Sequence, residues 1–213
     1  MEYPIKKFAV DAKEIILNRR ESLRYLGYFG NNTGDGGVAG ESRGFEAEAM
    51  VAACEPEVLE VIRPVACYGR FAIERKGDAL LFPYGEVRSG DLSKNLEGCR
   101  EIYLFAATIG TEFDRLIKRR SITDLAGAAI LQAIGATAVE NVCDRLNGYL
   151  EAEAKAEGRK LRPRYSPGYG DYGLENQKGI FQVLEPYRYI GISLTESLLM
   201  LPEKSVTAVI GIE

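Results

Sequence analysis

The chain has 213 residues, 46% of them hydrophobic, with a formal net charge of -4 and a pI near 5.2. That suffices for one domain with its own core, or two small lobes sharing one. Short, scattered basic runs such as Arg19-Arg20 and Lys118-Arg119-Arg120 exclude a concentrated phosphate-binding face, so no nucleic-acid partner is expected. The sequence contains no histidine. This removes Ser-His-Asp and Cys-His catalysis, most transition-metal sites and the easiest proton shuttle near neutral pH. The opening MEYPIKKFAVDAKE has no long apolar stretch after its lysines, and no apolar run approaches the ~20 residues that cross a bilayer. The expectation is a cytoplasmic protein with no membrane partner. Cys54, Cys67, Cys99 and Cys143 are widely spaced and form no C-x-x-C, so they are expected to be free, buried thiols.

In chain order, residues 11–26 read as one helix, with Asp11 as its cap and Glu14 placed as in a capping box. Ile15, Ile16, Leu23 and Leu26 supply its apolar face. From Gly30 to Gly44, six glycines in fifteen residues predict a loop, mobile in the isolated chain because few apolar anchors offset its ordering entropy. Its Gly34-x-Gly36-x-x-Ala39 follows no strand and precedes no Lys-Ser/Thr, so a surface loop or lid is a better reading than a phosphate cradle. Residues 45–62 are predicted helical, divided by Pro56. PVACYGRFAIER and ALLFPYGEV have strand character and meet at Gly77-Asp78 as a hairpin, with Pro83 putting the second at an edge or break. DLSKNLEGC reads as a short helix, REIYLFAAT as an apolar strand, and residues 110–120 as a further helix. The longest helix spans 123–157, with Leu131, Ile134, Ala138, Val142, Leu146 and Tyr149 at three- and four-residue steps. PYRYIGISLT and SVTAVIGI read as two more strands. Without strict βαβ alternation, the expected class is α+β, a twisted and mainly antiparallel sheet with packed helices. The expected division is an N-terminal helix and Gly-rich loop over 1–44 and an α+β domain over 45–213, together one structural unit.

The stretch from Arg164 to Gly173 is the most unusual. Pro167-Gly168 fits the central positions of a type II turn, which leaves backbone groups free to read a planar ligand. Arg164 can grip a carboxylate with its fork of N–H donors, and Tyr169 and Tyr172 can pack on an aromatic ring. The same residues also suit a surface loop whose tyrosines cover a core edge.

RYSPGYGD, then GLENQKGIFQVL and IGISLTESLLMLPEKSVTAVIGI, resemble the activation domain of cobalamin-dependent methionine synthase. Arg164, Pro167, Gly168 and Tyr169 match its R-x-x-P-G-Y motif. Gly191, Leu194, Thr195, Glu196, Ser197, Met200, Pro202, Ser205 and Val206 match its second motif. The likeness is strongest over about residues 125–210. Longer members continue after P-G-Y with a proline-rich stretch; here Gly170-Asp171-Tyr172-Gly173 stands instead. The resemblance implies a stand-alone protein with that domain's fold, which binds S-adenosylmethionine and supports reactivation of cob(II)alamin in methionine biosynthesis. It implies contacts from Arg164 to the ligand carboxylate, from Glu140 to its ammonium, and from Tyr165, Ser166, Pro167, Gly168 and Tyr169 to the adenosyl part. Thr195-Glu196-Ser197 reads as structural. No cobalamin-binding D-x-H-x-x-G motif is present, so the cobalamin is expected on a partner. That partner would be the cobalamin domain of a methionine synthase lacking its own activation domain, with flavodoxin or a similar electron donor. The alternative is a non-catalytic scaffold or regulatory module that docks on a corrinoid protein without binding S-adenosylmethionine.

Overall fold

A computed structural model describes residues 4–28 and 38–213, without the side chains of 38–45. In chain order the elements are β1 (Lys6–Ala9), α1 (Arg19–Tyr25), α2 (Val38–Val61), β2 (Val65–Ala72), β3 (Glu74–Lys76), β4 (Ala79–Phe82), β5 (Gly85–Val87) and α3 (Gly90–Asn95). There follow β6 (Glu101–Thr108), α4 (Thr111–Thr123), α5 (Leu125–Ala156), α6 (Asn176–Leu184), α7 (Pro186–Ile190), β7 (Ser193–Leu194), β8 (Met200–Leu201) and β9 (Ser205–Ile212).

The main sheet runs β1-β2-β6-β9, with every neighbouring pair antiparallel. Strand β6 is covered on both faces, which explains why its sequence is continuously apolar instead of alternating. Tyr103, Phe105 and Ala107 face one core, shared with Ile134, Val142 and Leu146 of α5 and with Phe113 of α4. Ile102, Leu104 and Ala106 face a second core, closed by Leu80 and Phe82 of β4, Leu92 of α3, and Ile180 and Leu184 of α6. The expected α+β class with an antiparallel sheet holds. The Gly77-Asp78 turn joins β3 to β4 in a small second sheet, while β2 belongs to the main one.

Helix α5 lies along the sheet with its apolar stripe inward. By length and composition it could cross a bilayer, contrary to the expectation that no run comes close, but 61% of its most apolar window is buried within the fold. Cys67, Cys99 and Cys143 are buried and Cys54 is half-buried, all four as free thiols.

Several local readings need correction. Residues 11–26 do not form one helix. Asp11 accepts the Lys13 N–H and caps a single 3-10 turn, Ala12–Glu14, and α1 starts afresh with Asn18 as its cap. Glu14 completes no capping box; Arg145 takes its carboxylate at 3.0 Å. Pro56 sits inside α2 without dividing it, because Val51, Val58 and Ile62 are buried on either side. PYRYI is helical, not extended: Pro186 fills the first helical position, which its fixed φ favours. Of the expected Gly30 to Gly44 loop, residues 38–44 belong to α2, and residues 30–37 lie outside the described residues.

Candidate functional site

Thr137, Glu140, Asn141 and Asp144 recur at steps of three and four and therefore share one stripe of α5. Opposite them stand Glu21 and Tyr25 of α1 and its cap Asn18, with Ile16 just before. Between the two walls lies a cavity of about 380 Å³, whose rim Tyr169 completes. The walls are tied together at several points. Asn141 Oδ1 accepts the Ile16 N–H at 3.0 Å, and the hydroxyls of Ser22 and Thr137 meet at 3.4 Å. The cavity wall carries the carboxylates of Glu21, Glu140 and Asp144 and, among the described residues, no basic side chain.

Arg164 answers two of those carboxylates from the side. It donates one N–H to Asp144 Oδ1 and another to Glu140 Oε2, both at 2.6 Å. Burial works against its charge, yet the Asp144 hydrogen bond and the surrounding negative groups raise its pKa above the ordinary guanidinium value. Beneath the cluster Cys143 is fully buried, and desolvation pushes its thiol pKa up.

The arm that delivers Arg164 is fixed to the sheet. Its backbone pairs along the outer edge of β9, through Lys160 with Glu213, Arg162 with Gly211 and Tyr165 with Val209, at 2.8–3.1 Å. Beyond it, the Ser166 carbonyl accepts the Tyr169 N–H at 3.2 Å and Gly168 has a φ of 95°, as the expected type II turn requires. The turn's amides are not free, however: the Gly168 N–H is used by the Tyr172 carbonyl at 2.7 Å. Tyr172 itself cannot stack on a ligand. It is fully buried, its hydroxyl bonds Tyr84 at 2.7 Å, and burial raises its pKa. Tyr169 is 67% exposed and available.

The structure thus brings Glu140 and Tyr169 to one cavity, which Arg164 adjoins through its bonds to Glu140 and Asp144 without lining it. Tyr165, Ser166, Pro167 and Gly168 build the adjoining turn and do not line it. The α1 wall was not anticipated, since it depends on tertiary packing. The polar stripe of α5 was the available signal, because Thr137, Glu140, Asn141 and Asp144 fall at helical spacing in its middle. Thr195 binds the Leu199 N–H and the Ser197 hydroxyl, each at 3.0 Å, so the Thr-Glu-Ser motif shapes the β7–β8 hairpin.

Asp171, in the segment that departs from the longer family form, caps α3 instead. Its carboxylate accepts the Ser89 hydroxyl, the Gly90 N–H at 2.6 Å and the Asp91 N–H at 3.2 Å. These bonds, led by Ser89, lower its pKa. A depressed folded pKa contributes stability that is full above the unfolded value near ~4 and lost as the pH falls through the lower, folded one. Asp171→Asn should therefore lower the melting temperature at neutral pH, and the difference from wild type should shrink on acidification below about pH 4. A difference that grows in acid would contradict the capping role.

A family model described as the vitamin B12 dependent methionine synthase activation domain matches residues 101–212. Among solved structures, one titled "Crystal Structure of the MetH Reactivation Domain bound to AdoHcy" is similar, with a TM-score of 0.71 at 17% identity. The match covers 98% of this chain and 78% of that one, and it shows a shared fold. No curated protein matches the sequence.

Proposed function

Since the chain belongs to the family of vitamin B12-dependent methionine synthase activation domains, we propose that it binds S-adenosylmethionine in the cavity between α1 and α5. There it supports reductive methylation of cob(II)alamin on a partner, in methionine biosynthesis. The observation that carries this reading is that Glu140 and Tyr169 line that cavity while Arg164, behind the wall, holds Glu140 and Asp144 at 2.6 Å each. A zwitterionic amino-acid end can exchange for the Arg164–Glu140 pair: its carboxylate takes the guanidinium fork and its ammonium takes Glu140. Tyr169 offers its exposed ring to the adenine, and Tyr165, Ser166, Pro167 and Gly168 hold the turn in shape. Because α1 supplies one wall, residues 1–44 and 45–213 act as one unit. The bound sulfonium supplies an already activated methyl group to a cobalt nucleophile, so the chain contributes orientation without an acid or base. A sequence without histidine suffices for that.

The cobalamin is carried by the cobalamin domain of a methionine synthase lacking its own activation domain, and flavodoxin or a similar donor supplies the electron, all in the cytoplasm. One observation favours the second reading, a scaffold that binds no ligand: the Arg164 charge is already paired with Glu140 and Asp144. The two readings separate in trans. Inactive synthase lacking the domain should regain turnover when this protein, S-adenosylmethionine and reduced flavodoxin are added together. No recovery, with no heat of S-adenosylmethionine binding, would favour the scaffold.

A further inference from the structure

We propose that Asp144 makes the cavity selective for the cationic methyl donor over its neutral, demethylated product; this rests on the ligand reading above. S-adenosylmethionine and S-adenosylhomocysteine share their amino-acid, ribose and adenine parts. They differ by one methyl group and one positive charge at sulfur. Contacts to the shared parts therefore cancel in the ratio of their affinities, and what remains reports the field at the sulfur.

That field follows from how the local charges are paired. Glu21 is answered by Arg24 on its own helix, at 2.7 Å. Glu140 and Asp144 share one cation, Arg164, at 2.6 Å each. Arg145 of α5 and Arg19 of α1 are committed to Glu14 at 3.0 Å and Glu55 at 2.6 Å. One carboxylate is therefore in excess. A docking amino-acid group brings one negative and one positive charge and leaves this imbalance unchanged. With Glu140 occupied by the ammonium, Asp144 is the surplus negative group. The Asp144 side chain is 62% exposed, so solvent and salt screen its effect. A preference of about fivefold for the sulfonium is the expected size. Such a preference lets fresh donor displace spent product after each methyl transfer.

The test is calorimetry of both ligands on wild type and on Asp144→Asn, with the variant's fold checked by circular dichroism. Wild type should bind S-adenosylmethionine about fivefold more tightly than S-adenosylhomocysteine, and the ratio should fall towards one in the variant. Both absolute affinities can rise there, because Arg164 is released, but that change is common to the two ligands. Raising the ionic strength should narrow the wild-type ratio. A wild-type ratio at or below one, or one that Asp144→Asn leaves intact, overturns the proposal while the ligand reading of the cavity stands. Absence of binding by both ligands overturns the cavity reading and the selectivity with it. If the variant does not fold, a wild-type ratio insensitive to salt is the overturning result.

Discussion

Arg164→Ala should weaken S-adenosylmethionine binding by about 30-fold or more, since truncating one partner of a charge-assisted pair costs about 2–5 kcal/mol. The geometry adds to that loss. Without the guanidinium, Glu140 and Asp144, each 2.6 Å from it, stand on one face of α5 with no shared cation. Arg164→Lys should restore little, because an ammonium cannot present the planar fork of two parallel donors that a ligand carboxylate would take. Glu140→Gln keeps the shape and removes the charge, and so isolates the ammonium contact. Arg164 also bonds its arm to α5, so Arg164→Ala should lower the melting temperature by a few degrees. Calorimetry on the wild type and the three variants decides the matter. Equal binding by wild type and Arg164→Ala would move the ligand away from this turn.

The largest loss of stability is expected at the crossing of α4 and α5. Phe113 is fully buried, and its ring edge fills the space where Gly135 lacks a side chain; a Cβ there would lie 2.2 Å from Phe113 Cε1. Phe113→Ala should cost about 3–5 kcal/mol, from lost burial and the cavity left behind. Gly135→Ala should cost about 1–3 kcal/mol for the opposite reason, overpacking against a ring that has nowhere to go. The two sites share one volume, so Gly135→Ala should be less damaging when Phe113 is already leucine. Denaturant melts of wild type, Phe113→Leu, Gly135→Ala and their double form a cycle. Strict additivity would show that the close approach does not matter.

What could be read from the chain follows from how local each cause is. The span of α5, the apolar β6 and the turn at Pro167-Gly168 are set by periodicity or backbone chemistry within a few residues, and each was legible. Strand β1 was not. Lys6–Ala9 is exposed except at the half-buried Phe8, and it is a strand because β2 offers its edge. The break between the 3-10 turn and α1 was hidden for a similar reason, since the Ile16 N–H goes to Asn141, 125 residues away. The β-forming Tyr187, Tyr189 and Ile190 misled through propensity: Pro186 starts a helix that packs on the second core. In the site, Glu140, Arg164 and Tyr169 carry a motif, whereas Glu21 and Tyr25 matter only through the packing of α1 on α5.

The arm carrying Arg164 also closes the outer edge of β9. That strand, SVTAVIGI, is uncharged, and seven of its eight residues are buried. Released from the arm, it would present a flat, unsatisfied row of backbone donors and acceptors, the kind of template on which a second chain adds itself. Solubility and the proposed ligand recognition therefore involve the same six residues. A proteolytic nick in the arm, or Arg162→Pro, which removes the N–H that Gly211 accepts at 2.9 Å, should show itself as precipitation before any defect in the proposed ligand binding can be measured.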